Sequence, residues 1–177
     1  MNRDFPRVQG WRDEGFTLME LMTVIIVVCI LSIMAISAVA GLRGKAERGR
    51  CINNLQGLYA AGTSYVTDQG MWPQIPALDI EDPAFARAWM AAFKPYNIGS
   101  ENWKCATVQK LIGDPPHDPD NPTLDYIPTS FDAKPGSPWL FSTHPWFIER
   151  AAAHGSGNLI ILTNGQIRTL DEFGVKK

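Results

Sequence analysis

Between Glu20 and Arg43 the chain carries no charged side chain, and this stretch limits what its N-terminal part can become. Leu21 to Leu42 reads LMTVIIVVCILSIMAISAVAGL, 22 residues in all. A helix rises about 1.5 Å per residue, so a run of this length can cross a hydrocarbon core of roughly 30 Å. The apolar region of a secretory signal is shorter, about 7–15 residues, and ends at a small-x-small site. The run therefore predicts a membrane-inserted helix, with a cleaved signal or a buried core helix as the alternatives. No proline occurs from Arg7 to Trp72, so nothing there forbids one long helix.

Charge and proline divide the chain in the same way. Arg43, Lys45, Arg48 and Arg50 follow the apolar run, with only Glu47 against them. Beyond Gly70 there are 12 acidic and 9 basic residues, so the remainder is mildly acidic. With a formal net charge of -2, the chain lacks the basic excess expected of a general nucleic-acid binder, and no nucleic acid is expected as a partner. Twelve of the 13 prolines and five of the six tryptophans lie from Trp72 onward. That part is loop-rich, yet it has large apolar groups to bury, unlike a disordered tail.

Glu20 is the most informative single residue. A carboxylate at the lip of an apolar helix is costly unless something pairs with it, which makes it a functional candidate. The plainer reading is a side chain that snorkels to water.

The string Glu14-Gly15-Phe16-Thr17-Leu18-Met19-Glu20-Leu21 resembles the N-terminal signal of type IV prepilins and type II secretion pseudopilins. Four features coincide: a short polar leader, a Gly–Phe junction, a Glu five residues past the Gly, and an uncharged run of spanning length. The resemblance implies cleavage between Gly15 and Phe16 by a prepilin peptidase, which also methylates the new amine of Phe16. It implies a structural subunit of a pilus-like filament, most specifically a pseudopilin of a type II secretion-like system. In such a filament the Phe16 amine and the Glu20 carboxylate of a neighbouring copy neutralise each other, since a buried pair costs far less than a buried lone charge. Its implied partners are the peptidase/N-methyltransferase, copies of itself and other pilin-like subunits, an inner-membrane assembly platform and membrane lipid. Its implied place is the bacterial inner membrane, single-pass, with the head on the extracytoplasmic side. A type IV minor pilin acting in adhesion or DNA uptake is the alternative within that class. A monomeric membrane-anchored ligand-binding protein is the alternative outside it.

The expected fold class is α+β and pilin-like: a long N-terminal helix, half transmembrane and half amphipathic, packed on a small head with an antiparallel hairpin or sheet. The expected divisions are a leader over 1–15, a transmembrane assembly helix over 16–42, its amphipathic continuation over 43–70, and a globular head over 71–177. Cys51, Leu55, Leu58, Gly62 and Tyr65 recur at three- and four-residue steps, with Asn53, Asn54 and Gln56 between them. That spacing gives one packing face on a helix expected from about Phe16 to about Thr67. Tyr59 and Tyr65 read as core residues.

In the head, Asp82-Pro83 reads as an N-cap followed by proline at the first helical position. Phe85, Trp89 and Phe93 then recur at four-residue steps until Pro95 ends the helix. A second short helix is expected over Pro145–Ala153, stopped by Gly155. Asn164-Gly165 lies between the apolar runs Leu159–Thr163 and Gln166–Leu170, the signal of a two-residue hairpin with positive φ at both turn positions. The stretch from His154 to Gly165 is also similar to an H-x9-DG element of a prepilin-like group, with Asn164 in place of the aspartate. The plainer reading has His154 capping a helix and Asn-Gly making a turn.

Cys29 lies within the apolar run and reads as a small membrane-facing residue. Cys51 and Cys105 both fall in the part the resemblance places outside the cytoplasm, where disulfides persist, so a bridge between them is expected, with two free buried thiols as the alternative. Asp118, Asp120 and Asp125 crowd a proline-rich loop and are candidate calcium ligands, although the loop lacks regular calcium-loop spacing and also reads as a solvated turn. There is no P-loop, dinucleotide glycine fingerprint, HExxH or GxSxG, and the three histidines have no metal-ligand spacing. No catalytic residue, and no enzyme, is expected.

Overall fold

The computed structural model describes residues 15–76, 79–112, 120–154 and 157–173. The chain forms two compact units, residues 1–42 and 43–177. Helix α1, Leu18–Gln69, begins in the first unit, and its residues from Arg43 onward belong to the second.

In the first unit α1 carries apolar side chains all round. From Leu18 to Met34 the large apolar residues are 50% to 81% exposed. The few hydroxyls fold back onto the helix: Thr23 Oγ1 donates to Met19 O at 2.7 Å and Ser32 Oγ to Val28 O at 2.7 Å. Their polar groups are thereby satisfied within the helix, and hydrocarbon is left outward.

The expectation of a transmembrane half is corrected. Among the described residues no helix is long and apolar enough to cross a membrane. The pilin-like fold class with its membrane-spanning segment therefore does not stand. Neither does the single-pass inner-membrane location, nor the membrane-facing reading of Cys29, which is an exposed free thiol.

The second unit is α+β, with a four-stranded antiparallel sheet in the order β1-β2-β3-β4. The strands are β1 Tyr126–Pro128, β2 Pro145–Glu149, β3 Leu159–Leu162 and β4 Ile167–Thr169. Tyr126 faces Glu149 across β1 and β2, Ile148 faces Ile160, and Ile160 faces Arg168. All four residues of β3, Leu-Ile-Ile-Leu, are buried, as a run without alternation demands.

Along α1, Cys51, Leu55, Leu58, Ala61 and Val66 are buried at three- to five-residue steps, while Asn53 and Gln56 are exposed. Tyr59 stacks on Trp146 at 4.9 Å and donates its hydroxyl to Thr163 O at 2.9 Å. Tyr65 lies 6.1 Å from the ring of Phe93 and 5.8 Å from that of Tyr96. Helix α2, Pro83–Phe93, starts at Asp82, whose carboxylate accepts from Ala84 N at 2.7 Å, with proline at the first turn. It buries Phe85, Ala86, Trp89 and Phe93, the apolar face its spacing announces. A third helix, α3, spans Ala106–Ile112.

Two local expectations change. Residues 145–149 form a strand, not the start of a helix, and 151–153 form a turn closed by Ala153 N to Ala151 O at 2.9 Å. Trp146, Phe147 and Ile148 suit a pleated surface, and pairing with β1 and β3 on both sides outweighs a weak local preference. The hairpin between β3 and β4 forms at Asn164-Gly165, but with three loop residues. Leu162 N donates to Gln166 O at 2.9 Å and Gly165 N to Leu162 O at 2.8 Å. Only Gly165 takes a positive φ, 78°, which is a type I turn closed by a left-handed residue. Asn164 spends its side chain on Gln166 N, at 3.0 Å.

Two glycines of α1 differ in what a side chain would meet. A Cβ at Gly57 would touch Ile98 Cδ1 at 3.7 Å, an ordinary contact. At Gly62 it would lie 3.2 Å from Trp72 and 3.3 Å from Trp146, two fully buried indoles. Gly57→Ala is expected to stabilise the fold by up to about 1 kcal/mol, through helix propensity alone. Gly62→Ala is expected to destabilise it by about 1 kcal/mol or more, because overpacking outweighs the same propensity gain. Urea unfolding of the pair measures both; equal shifts would refute the close packing at Gly62.

Candidate functional site

Two places concentrate chemistry. The first is the start of α1. Gly15 has nothing within 4 Å of where a Cβ would be, and Phe16 is 80% exposed. Both residues lie just ahead of the helix, outside its hydrogen-bonded turns. Glu20 sits in the first turn, where its Oε2 accepts from Thr17 N at 3.4 Å and from Thr17 Oγ1 at 3.2 Å. Glu20 N in turn donates to Thr17 Oγ1 at 3.3 Å. This is a reciprocal capping box, which satisfies amides left without partners at the helix start and sets a negative charge at its positive end. The signal for it, Thr-x-x-Glu before an apolar run, is present in the sequence.

The second place lies in the globular unit. A disulfide joins Cys51 on α1 to Cys105, just before α3, with Cα atoms 5.6 Å apart. Both residues are buried, at 2% and 1% exposure. His154 Nε2 lies 3.6 Å from Cys105 Sγ and 3.2 Å from Glu149 Oε1. The side chains of His154 and Glu149 are 3% and 0% exposed. These four residues present one ligand atom each, all within 4.8 Å of one another.

The surroundings hold each member in place. Glu149 ends β2, and its Oε2 accepts from Leu159 N at 3.1 Å, while its backbone O accepts from Asn158 Nδ2 at 2.7 Å. Asp125, fully buried, accepts from Cys105 N through Oδ2 at 2.7 Å. Tyr126 donates its hydroxyl to Cys51 O at 3.4 Å. Burial pushes the Glu149 carboxyl up to about 7, against the bond from Leu159 N. Burial also lowers His154, with the positive charge of Arg48 acting the same way. Both groups are driven toward their neutral forms, so a single proton serves the Glu149–His154 contact. Burial likewise raises Tyr126, and the nearby Glu149 adds to it, which keeps that hydroxyl a donor.

An open cleft of about 420 Å³ reaches this cluster from the surface, lined by Cys51 with Glu47, Arg50, Asn54, Glu101 and Lys104. Glu47 pairs with Lys110 at 2.7 Å and accepts from Thr107 Oγ1 at 3.1 Å, tying α1 to α3 on the cleft rim. The bond from Lys110 holds the Glu47 carboxyl below its ordinary value.

Among the described residues, no cluster of metal-ligating side chains includes Asp120 or Asp125. Asp118 lies outside the described residues. Asp120 is exposed and offers its backbone O to Arg87 Nη1 at 3.2 Å. Asp125 is turned inward to the amide of Cys105. His154 caps no helix; it closes the cysteine cluster, a role its sequence neighbourhood did not signal.

Compared with protein-family models, with curated proteins and with solved structures, the chain gives no match. Its function therefore rests on its own residues.

Proposed function

We propose that the chain is a structural subunit of a pilus-like filament, most specifically a pseudopilin of a type II secretion-like system. It is cut after Gly15, methylated at Phe16, and assembled through the first part of α1. The reading draws on the Gly15–Phe16–Glu20 motif. The observation that carries it is the helix that follows, whose large apolar side chains from Leu18 to Met34 all stand at least half exposed. Soluble surfaces rarely tolerate an apolar patch of that extent, so the helix needs a cover.

Other copies of the same helix supply one. Thirteen large apolar residues lie between Leu18 and Met34. Burying half of that surface yields on the order of 10–20 kcal/mol before costs. This is enough to offset an association cost of about 4–15 kcal/mol. Apolar contact alone lets helices slide. The Phe16 ammonium of one copy against the Glu20 carboxylate of the next sets the register, since a slip would leave both charges buried and unpaired.

The capping box makes the test sharper. Glu20→Gln keeps an acceptor at the third helical position and so preserves the helix start, but removes the charge. Co-expressed with a prepilin peptidase, wild type and Glu20→Gln are both expected to yield a mature mass starting at N-methylated Phe16. Electron microscopy is expected to show filaments for wild type and a loss of at least tenfold in filament mass for Glu20→Gln. A wild-type chain that keeps Met1 in the presence of the peptidase would sink the reading. Normal filaments from Glu20→Gln would remove the charge pair from it.

A further inference from the structure

We propose that Cys51, Cys105, Glu149 and His154 form a two-state site: a disulfide cross-link when oxidised, and a tetrahedral site for a zinc-class divalent ion when reduced. Two sulfurs, one imidazole nitrogen and one carboxylate oxygen make a donor set suited to that ion. Bonds of about 2.0–2.3 Å to a central ion put its ligand atoms roughly 3.3–3.8 Å apart. His154 Nε2 already stands 3.2 Å from Glu149 Oε1 and 3.6 Å from Cys105 Sγ. Opening the sulfur–sulfur bond to a non-bonded separation completes the tetrahedron, with no other ligand atom beyond 4.8 Å of the rest.

The supporting contacts are those of a built site. The bond from Leu159 N fixes Glu149 Oε2 and aims Oε1 at His154. Asp125 anchors the amide of Cys105, and Tyr126 the carbonyl of Cys51. Such outer contacts orient ligands before a metal arrives. Two thiolates and a carboxylate bring three negative charges against two positive ones on the ion, and the charge of Arg48 acts on both Glu149 and His154. The cleft is lined by Cys51 and so runs beside one end of the cross-link.

The chemistry balances. A dithiol reductant attacks the disulfide, passes two electrons to it and leaves as its own cyclic disulfide, while Cys51 and Cys105 take up two protons as thiols. Binding of the ion then displaces those two protons together with the one shared between Glu149 and His154. A disulfide oxidant reverses the sequence and expels the metal. Oxidation state and metal occupancy are therefore mutually exclusive, which ties the packing of α1 against β2 to the redox state of the surroundings.

The test uses the full chain in mild detergent, oxidised or reduced with a dithiol that is then removed. The reduced chain is expected to bind one zinc ion and the oxidised chain fewer than 0.1, measured by elemental analysis after gel filtration. With cobalt in place of zinc, the reduced chain is expected to show the intense visible bands of a tetrahedral site together with thiolate charge-transfer absorption. His154→Gln and Glu149→Gln are each expected to weaken zinc at least tenfold while leaving the disulfide form folded. Zinc is also expected to raise the melting temperature of the reduced chain and not of the oxidised one. No uptake on reduction would overturn the proposal. So would uptake that ignores His154 and Glu149, or uptake with no gain in melting temperature, since two thiols of an unfolded chain would behave that way.

Discussion

Trp72→Ala is expected to lower the unfolding free energy of the globular unit by about 5 kcal/mol. Trp72 is fully buried, and its ring meets Trp146 at 4.8 Å, Phe131 at 5.3 Å, Trp89 and Phe147 at 5.9 Å, and Phe93 at 6.4 Å. These neighbours come from α2, β2 and the loop after β1, so the indole is the point at which the separate elements share one core. Truncation removes the transfer energy of a large side chain and leaves a cavity whose rigid aromatic walls cannot collapse, a loss of about 3–5 kcal/mol. The indole also donates to Thr129 O at 2.9 Å, and losing that bond adds about 1 kcal/mol. Typical domains hold only about 5–15 kcal/mol in total, so the variant stands at or near the edge of folding. Circular dichroism during urea titration is the measurement, because Trp72 is itself a fluorophore. Trp139, 40% exposed although it stacks on Trp146 at 4.6 Å, is the comparison, expected to cost about 1 kcal/mol. Equal costs at the two positions would contradict the central place of Trp72.

The second large effect comes from the cross-link. Replacing Cys51 and Cys105 together by alanine is expected to cost about 4 kcal/mol under oxidising conditions. The bridge spans 54 positions, and closing a loop of that length restricts the unfolded chain by about that much in the chain-entropy account. For a unit of this size the melting temperature falls by roughly 12 °C. Alanine at both positions is the cleaner change, since a serine hydroxyl at a site buried to this extent would lack a partner. Adding a dithiol to the wild-type chain, with all metal removed, is expected to reproduce most of the loss. A double variant that melts within 2 °C of wild type would show that the bridge contributes little, whatever its geometry.

The parts of the fold that were legible beforehand are those in which local chemistry and tertiary need agree. Asp82-Pro83 caps α2 because an aspartate acceptor and a proline without an N–H both suit a first turn. The spacing of Cys51, Leu55 and Leu58 becomes the buried face of α1 because a helical stripe has nowhere else to put those side chains. Gly165 marks the hairpin because a left-handed residue is needed there, although the turn proved one residue longer. The pairing of Cys51 with Cys105 was also within reach, by position along the chain.

What stayed hidden is non-local. Residues 145–149 read as the start of a helix stopped by Gly155, and only the partners in β1 and β3 make them a strand. The uncharged run reads as a membrane span, whereas among the described residues no helix is long and apolar enough to cross a membrane.

The sequence by itself determined where α1 and α2 pack and where the last hairpin turns, because each depends on residues within a few positions of one another. Tertiary structure alone decided that residues 51, 105, 149 and 154 meet. Their spacings match no metal or catalytic pattern, and they converge only because β2, paired between β1 and β3, brings Glu149 and the turn bearing His154 to the disulfide on α1. Ligand geometry is a property of distances in space, and a chain fixes those only after its long-range pairings have formed.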